Sequence, residues 1–193
     1  VALSEVAEAA SVHPERLPEG EEPGLDISAV YEPKRSTGAF SYATHACVMA
    51  VDPGTGEMEI LDYVVVHDCG RMVNPMIVEA QVVGGVAQGL GTALYEEIPY
   101  DNNGQPLSST FLDYMIPGCA EVPNVRVLHI ETPSPHTKYG IKGLGEGGAI
   151  SPPAAVVNAL NDALKSLGAD ITQTPVTPLR VLEAIESDAV SPL

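Results

Sequence analysis

The feature that most constrains this chain is a helical pattern that contains several glycines. Apolar residues recur at helical spacing over residues 76–95, after an Asn74-Pro75 pair that is typical of a helix start. The interior of the pattern contains Gly84, Gly85, Gly89 and Gly91. Each costs about 1 kcal/mol relative to alanine, so the helix is expected where another backbone or a ligand approaches closely. Tight packing on a neighbouring element and a cofactor site at the helix edge both remain open.

Composition excludes several classes of function. The 193 residues include 26 acidic and 9 basic side chains, a net charge of −17 that disfavours nucleic-acid and anionic-membrane partners. No apolar run reaches the length of a membrane-spanning helix, so none is expected. The three cysteines are too widely spaced for an iron–sulfur cluster or a disulfide framework, which favours a cytoplasmic location.

The chain divides into two regions by composition. Residues 1–36 are acidic and proline-rich, which predicts a lead-in arm with a short helix at about residues 2–10. This arm is either a partly ordered tail or a strap on a neighbouring domain. Residues 37–193 form the second predicted domain.

The second region predicts an α+β fold, a mixed twisted sheet with packed helices. Residues 40–51 and 57–67 are predicted strands, joined by a turn that Asp52 opens and Pro53 shapes. Residues 107–116 and 124–131 are expected to be extended. Besides the glycine-containing helix, we expect helices at 152–167 and 178–186, the former with Ser151 as its N-cap.

A long irregular segment, residues 132–150, contains a glutamate among glycines. Glycines 143, 145, 147 and 148 leave Glu146 uncrowded, so a ligand could approach its carboxylate closely. In an enclosed, water-poor site this carboxylate could act as a general base; the alternative is a solvated glycine-rich turn. The glycine spacing also matches a dinucleotide-binding motif, which requires a strand directly before it and a helix directly after it.

Two further groups of polar residues are candidates. Gln81 and Gln88 lie on the glycine-containing helix, where their amides suit a pterin or nucleobase edge, or simply face solvent. His67, Asp68 and Cys69 follow the second strand. We expect structural roles for them, with Asp68 capping a turn at Gly70, although a Cys-His nucleophile pair remains conceivable. The histidines form no metal-ligand pattern.

Several segments together resemble the C-terminal part of the molybdopterin-binding large subunit of molybdenum hydroxylases, the xanthine dehydrogenase, aldehyde oxidoreductase and aerobic carbon monoxide dehydrogenase family. The matching segments, in order, are residues 51–56, 67–75, 81–91, 113–117 and 142–148. The resemblance covers roughly residues 20–186 and implies the fold of the C-terminal molybdopterin-binding domain.

The resemblance also implies roles for particular residues. Glu146 corresponds to the catalytic general base of the family, which acts toward water activated by molybdenum. Gln81 resembles the family's pterin-contacting glutamine. Further cofactor-binding positions are expected at Gly84, Gly85, Gln88, Lys142, Gly143, Gly145 and Gly147. No protein ligand to the metal is expected, because the pterin holds it.

The expected cofactor is molybdenum–molybdopterin, in bacteria usually its cytosine dinucleotide form. Iron–sulfur clusters and FAD are expected on partner domains or subunits. We expect this chain to be incomplete alone, to assemble with the upstream half of the large subunit, and to oligomerise. The substrate would be an aldehyde, a purine, an N-heteroaromatic compound or carbon monoxide. The alternative is a non-catalytic interaction module of the same fold.

Overall fold

The computed structural model describes residues 1–32 and 39–189, in two compact units, 1–34 and 35–193. The predicted boundary after residue 36 lies outside the described residues. In the first unit, helix α1 (Leu3–Ser11) is followed by a short 3₁₀ turn. In the described part of the chain, no helix has both the length and the apolar character needed to cross a bilayer.

The second unit contains a three-stranded mixed sheet. Strands β1 (Tyr42–Val51) and β2 (Met58–Asp68) form the predicted antiparallel hairpin, and the Asp52 carboxylate accepts a hydrogen bond from the Gly54 amide in its turn. Strand β3 (Val125–His129) pairs with β2 in parallel. The sheet order is β1-β2-β3, which confirms the predicted mixed sheet.

Three helices accompany this sheet, α2 (Pro75–Leu94), α3 (Pro152–Leu164) and α4 (Pro178–Ala189). Helix α2 begins as predicted, because the Asn74 side chain accepts a hydrogen bond from the Ile77 amide. A continuous core joins one sheet face to the helices. Its fully buried members include Tyr63, Val65, Val82, Val86, Leu90, Val156, Leu160 and Val181. Val48 and Leu128, on the other sheet face, are more than half exposed.

One local prediction was wrong. Residues 107–116 form no strand, because the Thr110 hydroxyl and carbonyl bond to Asp113 and close a turn instead. Phe111 and Leu112 are exposed on this turn. Ser151 stands at the predicted N-cap of α3, but its side chain makes no capping hydrogen bond, since its backbone angles are helical rather than extended.

Candidate functional site

A buried carboxylate at the end of β2 joins three segments of the chain. Asp68 accepts hydrogen bonds from the amides of Gly70 (2.8 Å) and Thr132 (3.1 Å) and from the Lys142 ammonium group (3.1 Å). Both side chains of the ion pair are more than nine-tenths buried. Burial alone would raise the pKa of Asp68, but hydrogen bonds from Thr132, Gly70 and Lys142 outweigh it and hold the pKa well below its usual range.

Backbone hydrogen bonds extend this attachment toward the glycine loop, defined here as residues 142–149. The Lys142 amide donates to the Cys69 carbonyl at 2.8 Å, and the Arg71 amide donates to the Gly140 carbonyl. Gly70 has a φ of +69°, and a Cβ there would overlap the Gly140 carbonyl. The turn that Asp68 was expected to cap is therefore confirmed, and it places the start of the glycine loop beside the sheet.

Helix α2 holds the other side of the glycine loop. A Cβ on Gly85 would lie 2.8 Å from the Gly148 Cα, and a Cβ on Gly89 would lie 2.8 Å from the Ala149 carbonyl oxygen. Backbone therefore packs directly on backbone, which needs glycine on the helix. Tight packing, one of the two interpretations left open by the sequence, explains Gly85 and Gly89.

The exposed edge of α2 is less closely packed than the face that carries Gly85 and Gly89. Gln81 donates from its amide Nε2 to the Gly145 carbonyl at 2.8 Å, which links helix and loop. Gln81, Gly84 and Gln88 follow the helical spacing of one stripe, and all three are exposed. A Cβ on Gly84 or on Gly145 would meet no atom within 4 Å. Packing among the described residues therefore does not explain these two glycines.

Glu146 lies at the exposed tip of the glycine loop. The carbonyl of Glu146 accepts from the Ala149 amide (2.9 Å), and the Gly147 amide donates to the Leu144 carbonyl (3.2 Å), so the backbone forms a defined turn. The expectation of an enclosed, water-poor carboxylate is not met by this chain alone. The glycines that leave room for a ligand also leave room for solvent.

Histidines on adjacent strands lie beneath the loop. His67 is fully buried, and a Cβ on Gly147 would overlap its Nε2. His45, on β1, shares a 2.9 Å hydrogen bond between its Nδ1 and the Tyr63 hydroxyl. Burial lowers the pKa of both rings; the neighbouring His129 lowers the pKa of His67 further. The nearby backbone of Gly147 acts in the opposite direction and raises the pKa of His45. The Nε2 atom of His45 nevertheless has no hydrogen-bond partner among the described residues.

The structure therefore brings the predicted site residues to one region, where some are bonded within the fold and others are exposed to solvent. The Lys142 ammonium group donates a hydrogen bond to Asp68 and lies 4.2 Å from the centre of the Tyr42 ring. This side chain therefore points into the fold and anchors the start of the loop. Gly143 is fixed by a hydrogen bond from its amide to the Ala39 carbonyl. Sequence reasoning missed the Asp68–Lys142 ion pair and the contact of His67 with Gly147, since neither has a local spacing signal.

The alternative dinucleotide-binding site finds no support among residues 39–189. No strand directly precedes Gly143, since Ile141 forms an isolated bridge with Gly70, and α3 begins only at Pro152. The dinucleotide-binding motif therefore lacks its structural context. Among the described residues, no group of three or more His, Cys, Asp or Glu side chains is arranged to hold a metal ion.

Comparison with known proteins adds independent information. The sequence model of a family described as "Molybdopterin cofactor-binding domain" matches residues 1–123. The large subunit of nicotine 6-hydroxylase from Paenarthrobacter nicotinovorans is 42% identical over 184 residues, 95% of this chain and 22% of that protein. The carbon monoxide dehydrogenase large chain of Hydrogenophaga pseudoflava is 33% identical over 169 residues, 88% of this chain and 21% of that protein.

A solved structure agrees with these matches. Quinoline 2-oxidoreductase from Pseudomonas putida 86 superposes with a TM-score of 0.82 at 42% identity, covering 96% of this chain and 23% of that chain. The present chain thus spans about a fifth of the length of the curated relatives it matches.

Proposed function

The chain belongs to the molybdopterin cofactor-binding domain family, and we propose that it supplies the general base and part of the cofactor site of a molybdenum hydroxylase. The proposed base is Glu146. The observation that carries the proposal is an exposed carboxylate on a turn whose backbone is fixed from both sides. Asp68 and Lys142 attach the loop to the sheet, and Gln81 attaches it to α2.

The open stripe on α2 fits an approaching cofactor. Gly84 and Gly145 leave space where a side chain would stand, and Gln81 and Gln88 present amides that can donate and accept at a pterin edge. When bound, the molybdenum centre would activate water as a nucleophile and accept electrons from the substrate. The cytosine dinucleotide form, and electron transfer through iron–sulfur clusters and FAD on partners, belong to the same proposal.

The chain's own residues have separable tasks in this proposal. Glu146 accepts a proton at its carboxylate, and the fixed turn limits where that carboxylate can reach. The Asp68–Lys142 pair is internally neutral, so it holds the loop without adding net charge beside the base. Water around Glu146 would be excluded by further polypeptide, the upstream half of the large subunit. The exposed Phe111 and Leu112 are candidate contacts for it.

Among the possible substrates, an N-heteroaromatic compound is favoured. The two relatives with 42% identity are named for nicotine and quinoline, and both compounds contain a nitrogen heteroaromatic ring. The two relatives named for carbon monoxide are less similar, at 33% and 36% identity. We therefore propose hydroxylation at a ring carbon next to nitrogen, where the carbon is electrophilic.

Replacement of Glu146 by glutamine tests the proposal in the assembled enzyme. Glu146→Gln keeps the shape of the side chain and removes its basicity, so turnover of a pyridine or quinoline substrate should fall by about 10²–10⁴-fold while molybdenum content is unchanged. Glu79→Gln, at an exposed glutamate on α2, is the matched control and should retain activity. Full turnover by Glu146→Gln would favour the non-catalytic interaction module instead.

A further inference from the structure

The imidazole of His67 forms part of the surface on which the glycine loop rests. The side chain is fully buried at the end of β2, and Gly147 lies so close that any side chain there would overlap the Nε2 atom. The contact joins a rigid ring to a backbone atom, so neither partner can shift without moving the other. Glu146 is the adjacent residue in the same turn. A displacement at Gly147 would therefore be transmitted to the carboxylate.

Packing alone does not explain why this position is a histidine. Neither ring nitrogen of His67 has a hydrogen-bond partner among the described residues, although the ring is completely removed from solvent. A buried polar group without a partner is unfavourable, and an apolar side chain such as that of Val65, on the same strand face, avoids it. Buried polar groups without a partner are rare in folded proteins, and each one needs an explanation, such as a role in function.

We propose that His67 is a positioning residue for Glu146: its neutral ring fixes Gly147 and thereby sets where the carboxylate of the glycine loop lies. This inference rests on the proposed function, in which Glu146 is the general base. His67 does not itself touch the substrate. Its effect acts through the backbone of one residue.

The surroundings of the His67 ring make its contact with Gly147 dependent on whether the ring is protonated. The titratable groups that act on the ring are His45 on β1, Asp68 on β2 and His129 on β3, and the loop packed against it carries Lys142 and Glu146. Burial and the nearby His129 lower the pKa of His67, whereas Asp68 opposes this. A protonated ring would have to leave its buried site for water, so the loop should loosen as His67 gains its proton.

Hydrogen exchange of the full chain, without any cofactor, tests whether His67 holds the glycine loop in place. Peptides that cover residues 142–149 are compared at about pH 7.5 and about pH 5.5, on either side of the ordinary histidine pKa, after correction for intrinsic exchange. The loop of the wild-type chain should exchange roughly tenfold faster at the lower pH, and His67→Gln should remove this dependence. His136→Gln, at an exposed histidine, is the control and should behave like wild type. A His67→Gln chain with the wild-type pH response would overturn the inference.

A pair of substitutions tests the contact itself. Gly147→Ala places a methyl group against the ring and should abolish loop protection, whereas the double variant Gly147→Ala with His67→Ala frees that space and should restore part of it. Equal loss of protection in the single and double variants would contradict the proposed contact.

The assembled enzyme separates this inference from the proposed function. His67→Ala should lower kcat by about tenfold or more, with KM changed less than about twofold and molybdenum content unchanged, and His67→Gln should recover most of the rate. If Glu146→Gln abolishes turnover but His67→Ala does not lower kcat, only the positioning role is wrong. If Glu146→Gln retains turnover, the proposed function itself is wrong.

Discussion

Two neighbouring glycines on α2 should respond in opposite ways to the same substitution. Gly84 faces open space, whereas a Cβ on Gly85 would lie 2.8 Å from the Gly148 Cα. Gly84→Ala should therefore stabilise the chain by about 0.5–1 kcal/mol, because alanine restricts the unfolded backbone and favours the helix. For a chain of this size, that corresponds to a rise in Tm of roughly 1–4 °C. Gly85→Ala should instead destabilise it by about 1–3 kcal/mol, because backbone atoms must move apart.

Thermal unfolding followed by circular dichroism measures both effects on the full chain. Thr92→Ala is the matched control, because it also replaces an exposed residue of α2 by a better helix former and should raise Tm slightly. A loss of stability in Gly84→Ala would show that this face of the helix is not open.

The same substitution reports on the cofactor. If the space beside Gly84 admits the pterin, the added methyl group should reduce the molybdenum and pterin content of the assembled enzyme while the protein itself becomes more stable. Glu79→Ala, at an exposed residue of α2 outside this stripe, should leave that content unchanged. A stabilised Gly84→Ala enzyme with full cofactor content would refute the placement of the cofactor along this stripe.

The remaining predictions concern the loop and its attachments. Lys142→Met leaves the buried Asp68 carboxylate unpaired and should cost about 3–5 kcal/mol at neutral pH, measured by urea unfolding. Gln81→Met removes one hydrogen bond to Gly145 and should cost about 1 kcal/mol, with faster hydrogen exchange confined to the loop. Stability should fall as pH drops below about 6.5, because the unfolded chain then binds protons more readily than buried His67 does, and His67→Gln should flatten that slope. A second loss should begin below about pH 4, where the unfolded chain binds a proton that Asp68 rejects in the fold.

Local chemistry in the sequence predicted most of the fold. The hairpin was visible from its turn residues, and the start of α2 from Asn74 and the proline after it, because these signals act within a few residues. The same reasoning failed around Thr110, where the hydroxyl and the carbonyl bond to Asp113 instead. A side chain that can cap or extend the backbone can also bond locally in another way, and the pattern does not indicate which bond forms.

The candidate site was predictable in part. Glu146 stands out because glycines surround it, and Gln81 because it lies on a helix with too many glycines. The contacts that hold them were not predictable from spacing, since Asp68 and Lys142 are 74 residues apart and Gln81 and Gly145 are 64 apart. The exposure of Glu146 also follows from no sequence pattern, because it depends on which polypeptide surrounds the loop.

The attachment at Asp68 has a consequence for the order of events during synthesis. Its carboxylate gains the hydrogen bonds from Thr132 and Lys142 only after those residues are made, so a ribosome-bound chain that ends before them lacks this attachment. Gly148 must also emerge before α2 finds the backbone that its glycines accommodate. The loop is thus translated after both of the elements that hold it. Insertion of any prosthetic group that needs its finished shape must follow release of this segment from the exit tunnel.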